Sequence, residues 1–220
     1  METCQATPLN IREGTALITG GLGALGQEVA KHLIEVHGVK RLVLTSRRGM
    51  ESPQAAEVVD ELAALGAAIK VVACDISEAG AVDTLRQALG ESLSLRVVVH
   101  AAGVLDDGMV SSLTAERLEK VMKPKVDGAW NLHQLTQDLD LDAFVLFSSV
   151  AGVIGNLGQA NYAAANTFLD ALAYSRCANG LPGTSIAWGP WKDVGMAAEL
   201  SADEQGTMAR QGFRPLEVPL

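Results

Sequence analysis

Thr15-Ala16-Leu17-Ile18-Thr19-Gly20-Gly21-Leu22-Gly23-Ala24-Leu25-Gly26 is the stretch that decides how this chain folds. Its first four residues form a short apolar run suited to a buried parallel strand. Beyond Gly26, Val29, Leu33 and Val36 recur at helical spacing. Between strand and helix stands Thr-Gly-x-x-Gly-x-x-Gly, with Gly20, Gly23 and Gly26 at the fixed places. Glycine lets the backbone turn sharply, approach a ligand closely and set the helix against the strand. The unbonded N–H groups and positive dipole end of the helix then face a pyrophosphate. A nucleoside-triphosphatase loop is excluded. Gly21 and Gly26 have its glycine spacing, but Gln27 and Glu28 stand where it needs a lysine and a hydroxyl. A tight strand-to-helix turn without a ligand has the same local glycines, so the rest of the chain must decide.

That rest alternates. Strands are expected at 41–45, 69–73, 96–100, 143–147 and 183–187. Helices are expected at 53–65, 78–89, 114–136 and 160–177. Thr114 suits an N-cap, with Glu116 in the first turn, and Pro124 is expected to kink or divide the helix it falls in. Six strands alternating with helices predict an α/β fold, a Rossmann-type doubly wound parallel sheet with helices on both faces. With the glycine turn after the first strand, the expected order is 3-2-1-4-5-6, and ligands bind beyond the carboxyl ends of the strands. We divide the chain into an N-terminal extension (1–13), a nucleotide-binding catalytic domain (14–198) and a lid or truncated end (199–220).

Composition narrows the partners. At 220 residues the chain can bury a substantial core, and 17 basic against 26 acidic residues give a net charge of −9. With no basic run longer than Arg47-Arg48, nucleic acid is not expected as a partner. No apolar run reaches the ~18 residues of a membrane helix, and residues 1–10 lack a signal-peptide pattern, so no membrane partner is expected. Cys4, Cys74 and Cys177 lie too far apart for a metal spacing and are odd in number. No metal is expected, and the reducing cytoplasm is the expected compartment.

The end of strand two chooses the dinucleotide. An acid about 20 residues beyond the glycines would hold the ribose 2′-hydroxyl of NAD. This strand instead runs into Ser46-Arg47-Arg48, with no acid before Glu51. Guanidinium groups match a 2′-phosphate, so the cofactor is read as NADP(H); the plainer reading is two arginines solvating a loop. Thr19, Gly20, Gly21, Leu22, Gly23, Leu25 and Gly26 would form the cradle. Asp75 and Ile76 close strand three, where the carboxylate would accept from the adenine amine or cap the next helix, a role open also to Ser77. After strand four, Ala101, Ala102 and Gly103 permit close backbone contact, while His100 reads as a packed strand-end histidine.

Two further strand ends converge on chemistry. Strand five ends in Ser148-Ser149, and Tyr162 opens the next helix with Asn166 at i+4 on the same face. The chain here resembles the short-chain dehydrogenase/reductase superfamily, which uses a serine, a tyrosine thirteen residues on and a lysine. Most members place that lysine four after the tyrosine, where this chain has Asn166. Ketoreductase domains of modular polyketide and animal-type fatty acid synthases exchange the two positions. Lys123-Pro124-Lys125-Val126-Asp127-Gly128 is similar to their Lys-Pro-Lys-Val-x-Gly segment. His100-Ala101-Ala102-Gly103, Phe147-Ser148-Ser149 and Trp188-Gly189-Pro190-Trp191 match as well, and the likeness covers about 14–198.

The resemblance implies reduction of a β-ketoacyl thioester, held on the phosphopantetheine arm of an acyl carrier protein, to a β-hydroxyacyl thioester. It assigns Tyr162 as proton donor, Lys125 as the cation beside it, Ser149 as the carbonyl's hydrogen-bond donor and Asn166 as the group orienting Lys125, directly or through water. Trp188 would lie against the nicotinamide carboxamide. Leu105-Asp106-Asp107 is similar to the motif of B-type ketoreductases, and Ile154 stands where an A-type member has tryptophan. A B-type enzyme, giving a D-hydroxyl, is therefore implied; Ala164 lacks the proline associated with epimerised α-substituents. The plainer reading of Asp106-Asp107-Gly108 is an acidic turn. Other synthase domains would be partners, and the companion subdomain usual in the family is not seen in the sequence. The rival functions are a non-catalytic NADP-binding module and a freestanding carbonyl reductase.

Overall fold

The computed structural model describes residues 13–90, 94–192, 195 and 215–217. Its centre is the apolar run before the glycines: β1 (Thr15–Thr19) is buried at every position. Such a strand must be covered on both faces, and both are covered. β1 pairs in parallel with β2 (Arg41–Ser46) on one side and β4 (Leu95–His100) on the other. β3 (Ala68–Ala73) extends the sheet beyond β2, and β5 (Ala143–Ser149) and β6 (Thr184–Trp188) extend it beyond β4. The order is β3-β2-β1-β4-β5-β6, all parallel, as expected from the glycine turn.

Two apolar layers sandwich the sheet. Helices α1 (Ala24–Glu35) and α2 (Ala55–Ala64) cover one face through Leu33, Ile34, Val58 and Leu62. On the other, α3 (Ala81–Leu89), α4 (Ala115–Thr136) and α6 (Ala160–Ala178) pack Leu85, Leu132 and Leu169 against Leu17, Val98 and Phe144. Each fully buried leucine contributes ~1.5–3 kcal/mol, so the layers fix which strand ends meet.

The structure changes several details. α4 runs unbroken from Ala115 to Thr136 with Pro124 inside it, so the expected division does not occur. Buried Val121 on one side of the proline and Gly128, Ala129 and Leu132 on the other hold the helix against the core. Packing there outweighs the lost N–H. Thr114 does cap the helix, accepting from Arg117 N. A four-residue helix, α5 (Ala151–Ile154), follows β5 and is too short to show periodicity in sequence. α3 begins later than expected, because Asp75 Oδ1 accepts from Ser77 N at 3.0 Å and Ser77 Oγ at 2.7 Å, making a turn ahead of it. Beyond β6, Leu216 forms an isolated parallel bridge with Trp191, a pairing not expected from sequence. The extension at 1–13, except Glu13, and most of the segment 199–220 lie outside the described residues.

Candidate active site

The carboxyl edge of the sheet is a set of close approaches. Gly20 has φ +69°, and a Cβ there would lie 2.9 Å from Ala102 N. A Cβ on Gly26 would lie 2.4 Å from Gly20 O, and one on Gly21 2.8 Å from Leu44 Cδ2. The three glycines thus let β1, α1 and the 100–103 segment interlock, with Ala101 N donating to Thr19 O at 3.1 Å. α1 starts at Gly23 with no side-chain cap and no acid in its first turn. Its N–H groups and dipole end are left for an anion, so Thr19 to Gly26, with Leu22 and Leu25, fit a dinucleotide pyrophosphate.

At the end of β2, Arg47 and Arg48 are exposed and neither is in an ion pair among the described residues. Their loop is nevertheless shaped. Ser46 Oγ is 2.9 Å from Ser52 Oγ, and Gly49, at φ +52°, lies so close to β3 that a Cβ would be 2.9 Å from Ala73 N. Two guanidinium groups on a pinned loop fit a phosphate beside the ribose. Asp75 forms the turn with Ser77 rather than capping α3, and Ile76 is buried below it. Trp188 ends β6 and stacks on Phe147 and Trp191, with ring centroids 5.4 and 4.9 Å away.

Three segments bring the catalytic candidates together. Lys125, on α4, is 3% exposed, and its Nζ donates to the Phe147 carbonyl at 2.8 Å. That Nζ lies 5.2 Å from the centroid of the Tyr162 ring, within cation–π range. Gly103 makes room for it, since a Cβ there would be 3.1 Å from Lys125 Cε. Burial pulls the lysine down to about 8, opposed by the Asp170 carboxylate. Tyr162 is 7% exposed on the first turn of α6, and burial pushes its phenol up. The side chains of Asn166 and Ser149 lie close enough to favour its ionised form, while Asp107 acts the other way.

Asn166 bonds within its own helix. It does not bond Lys125; its Nδ2 donates to the Tyr162 carbonyl at 2.7 Å, and its buried Oδ1 has no protein partner. Ser149 Oγ accepts from Ala151 N at 3.2 Å, so it also anchors the start of α5.

The acidic segment is stitched in place by residues the sequence did not single out. Asp106 accepts from Arg117 Nε at 2.8 Å and Lys120 Nζ at 2.9 Å, which hold its carboxyl below the usual range, Lys120 foremost. Asp107 Oδ2 accepts from Gln159 Nε2 at 2.7 Å, and Asn161 Nδ2 donates to Asp106 O at 2.9 Å. Leu105 packs on the cluster containing Tyr162. The segment thus joins the first turns of α4 to the loop entering the tyrosine helix. Only the i, i+3 spacing of Arg117 and Lys120 hinted at the pair in sequence.

A glycine-rich strand-to-helix turn, two arginines without ion pairs among the described residues, and buried Tyr162, Lys125 and Asn166 beside half-buried Ser149 share one sheet edge, the arrangement of a short-chain reductase domain. The chain belongs to the KR-domain family, the ketoreductases of polyketide synthases, whose model matches residues 14–193. It is 51% identical over 218 residues to polyketide synthase GfsA of Streptomyces halstedii, covering 99% of this chain and 3% of that protein. A phenolphthiocerol synthesis polyketide synthase type I of Mycobacterium tuberculosis, whose name marks it as inactive, is 49% identical over 208 residues, 94% of this chain and 13% of that one. Among solved structures, an A-type ketoreductase from a modular polyketide synthase superposes with a TM-score of 0.90 at 45% identity, covering 97% of this chain and 44% of that chain. The chain therefore spans a small part of these synthases and under half of the solved ketoreductase. Members of this family are oxidoreductases that bind a nicotinamide cofactor. No helix among the described residues is long and apolar enough to cross a membrane.

Proposed function

We propose that this domain reduces a β-ketoacyl thioester to a β-hydroxyacyl thioester, using NADPH. Bound in the cradle, the reduced dinucleotide supplies hydride to the ketone carbon. The chain's own residues handle the oxygen. Ser149 and the Tyr162 hydroxyl both bond the ketone oxygen, and Tyr162 gives up its proton as negative charge builds there. Lys125, a buried ammonium beside the phenol ring, favours the tyrosinate left behind. Asn166 holds the first turns of α6 through the Tyr162 carbonyl and keeps one free acceptor for water that returns the proton.

The observation that carries this reading is the Lys125 ammonium, 3% exposed, 5.2 Å from the Tyr162 ring. Burying a cation there is costly, and it serves a reaction that makes an anion next to it. Arg47 and Arg48 support NADPH over NADH. Asp106 and Asp107, with Ile154 in place of a tryptophan, support the B-type hand and a D-hydroxyl. The substrate is read as carrier-bound, on an acyl carrier protein within a larger synthase. Because this chain is itself acidic, docking would draw on tethering, which raises effective concentration. The free thiols of Cys74 and Cys177 suit a cytoplasmic setting.

A binding module without catalysis is the second reading, favoured by the relative whose name reads "Putative inactive". It leaves the buried ammonium without a purpose. Tyr162→Phe separates the two, because the phenyl ring keeps the packing with Val121, Ala151 and Ala165. With a β-ketobutyryl thioester and NADPH, the rate is expected to fall ~10²–10⁴-fold while NADPH affinity stays within twofold. Equal rates in the two proteins would remove Tyr162 from the mechanism.

A further inference from the structure

His100 has no part in that mechanism, yet it is placed between its two halves. It ends β4 opposite Thr19 of β1 and is 1% exposed. Its Nδ1 lies 2.6 Å from Thr19 Oγ1, one residue before the first glycine of the cradle. On its other side is α4. A Cβ on Gly128 would come within 3.3 Å of His100 Cε1 and 2.9 Å of Ile76 Cγ2, so the ring fills a notch that only glycine leaves open. Through that notch it faces the backbone of Pro124 and Lys125. This turn of the helix already lacks one internal bond, because Pro124 has no N–H.

We propose that His100 is a positioning residue for the reductase, fixing the Lys125 turn of α4 to the strand ends that form the dinucleotide cradle. The proposal rests on the reading of Lys125 as the site's ammonium. His100 itself is not an acid at neutral pH: burial, then the neighbouring Lys125, push it down to about 3. The neutral ring accepts from the Thr19 hydroxyl through Nδ1. Its Nε2 is buried with no hydrogen-bond partner in the protein, and the backbone of Pro124 and Lys125 lies beside the ring. Filling the notch requires only a ring, whereas tying cradle to helix requires the nitrogens.

The test compares kcat and KM for NADPH in His100→Phe, His100→Asn, Thr19→Val, the His100→Phe/Thr19→Val double variant and Lys125→Met, with a β-ketobutyryl thioester as substrate. His100→Phe keeps the ring and is expected to lower kcat about 10- to 100-fold, with KM for NADPH within about twofold. Thr19→Val should lower kcat by about 3- to 10-fold, and the double variant should be no worse than His100→Phe, because both cut one link. His100→Asn, whose amide oxygen can accept from Thr19, should recover most of the rate. If His100→Phe keeps kcat within twofold while Lys125→Met is inactive, the positioning role fails and the reading of Lys125 stands. An active Lys125→Met overturns that reading itself. A raised KM for NADPH with unchanged kcat would also overturn the proposal. Should His100→Phe not fold, a Thr19→Val protein with wild-type kcat refutes the link.

Discussion

Lys125→Met should make the protein more stable while destroying its activity. The lysine is brought from its ordinary 10.5 to about 8 by burial, which corresponds to about 3 kcal/mol of unfavourable burial while the ammonium is charged. Methionine has nearly the same length and no charge, so it removes that cost. Against this, the Phe147 carbonyl loses its 2.8 Å bond, a loss of about 1–2 kcal/mol. The variant should therefore gain about 1–2 kcal/mol at pH 7. The sign with pH follows from proton counting. Between pH 8 and 10.5 the unfolded chain keeps a proton that the folded chain has shed, so wild-type stability rises with pH across that window. The variant's advantage is full below about pH 8 and gone by about 10.5. Urea unfolding followed by tryptophan fluorescence at pH 7 and pH 9.5 measures it. A variant less stable than wild type at pH 7, or one with the same gain at both pH values, would refute the argument. Wild-type kcat should also fall above about pH 8, as the ammonium is lost.

Two other predictions test the cofactor side. Arg47→Ala removes an exposed side chain without an ion pair, so stability should be unchanged; KM for NADPH should rise about 10- to 100-fold and that for NADH should not, as expected for one charge-assisted contact. A uniform effect on both dinucleotides would contradict the 2′-phosphate assignment. Gly26→Ala sets a Cβ 2.4 Å from Gly20 O, an overlap of backbone that cannot relax cheaply, so a loss of about 1–3 kcal/mol in unfolding and a loss of dinucleotide binding are expected. Unchanged affinity by fluorescence titration would show that the turn does not form the cradle.

Most of the sheet was legible because its strands are continuous apolar runs between turn residues, and the glycine turn chose their order. What the sequence could not convey were features decided by packing. Pro124 argues locally for a broken helix, but the buried residues on both sides hold α4 whole. Asp75 carries both a cap and a turn signal, and only the approach of Ser77 settles on the turn. The proposed catalytic residues were legible as residue types at strand ends, and Lys125 through a motif. The contact of Asn166 was not. At i+4 it reaches its own helix's Tyr162 carbonyl, a local bond available to any helical asparagine, rather than a lysine on another helix. Gln159 and Asn161 were invisible because their partners, Asp107 and Asp106, lie 52 and 55 residues away in sequence.

The two edges of the sheet handle charge in opposite ways. At the amino edge, Arg96 near the start of β4 meets Asp142 at 2.5 Å and Asp140 at 2.7 Å. At the carboxyl edge, a buried ammonium is matched to a single carbonyl, an asparagine oxygen has no protein partner, and a histidine is held neutral. Leaving Asn166 Oδ1 without a partner and a buried ammonium on a single carbonyl costs stability at the edge where ligands of a doubly wound sheet bind. Lys125 is the clearest case: its charge is destabilising in the free protein, and in the proposed reaction it acts when the phenol beside it parts with a proton.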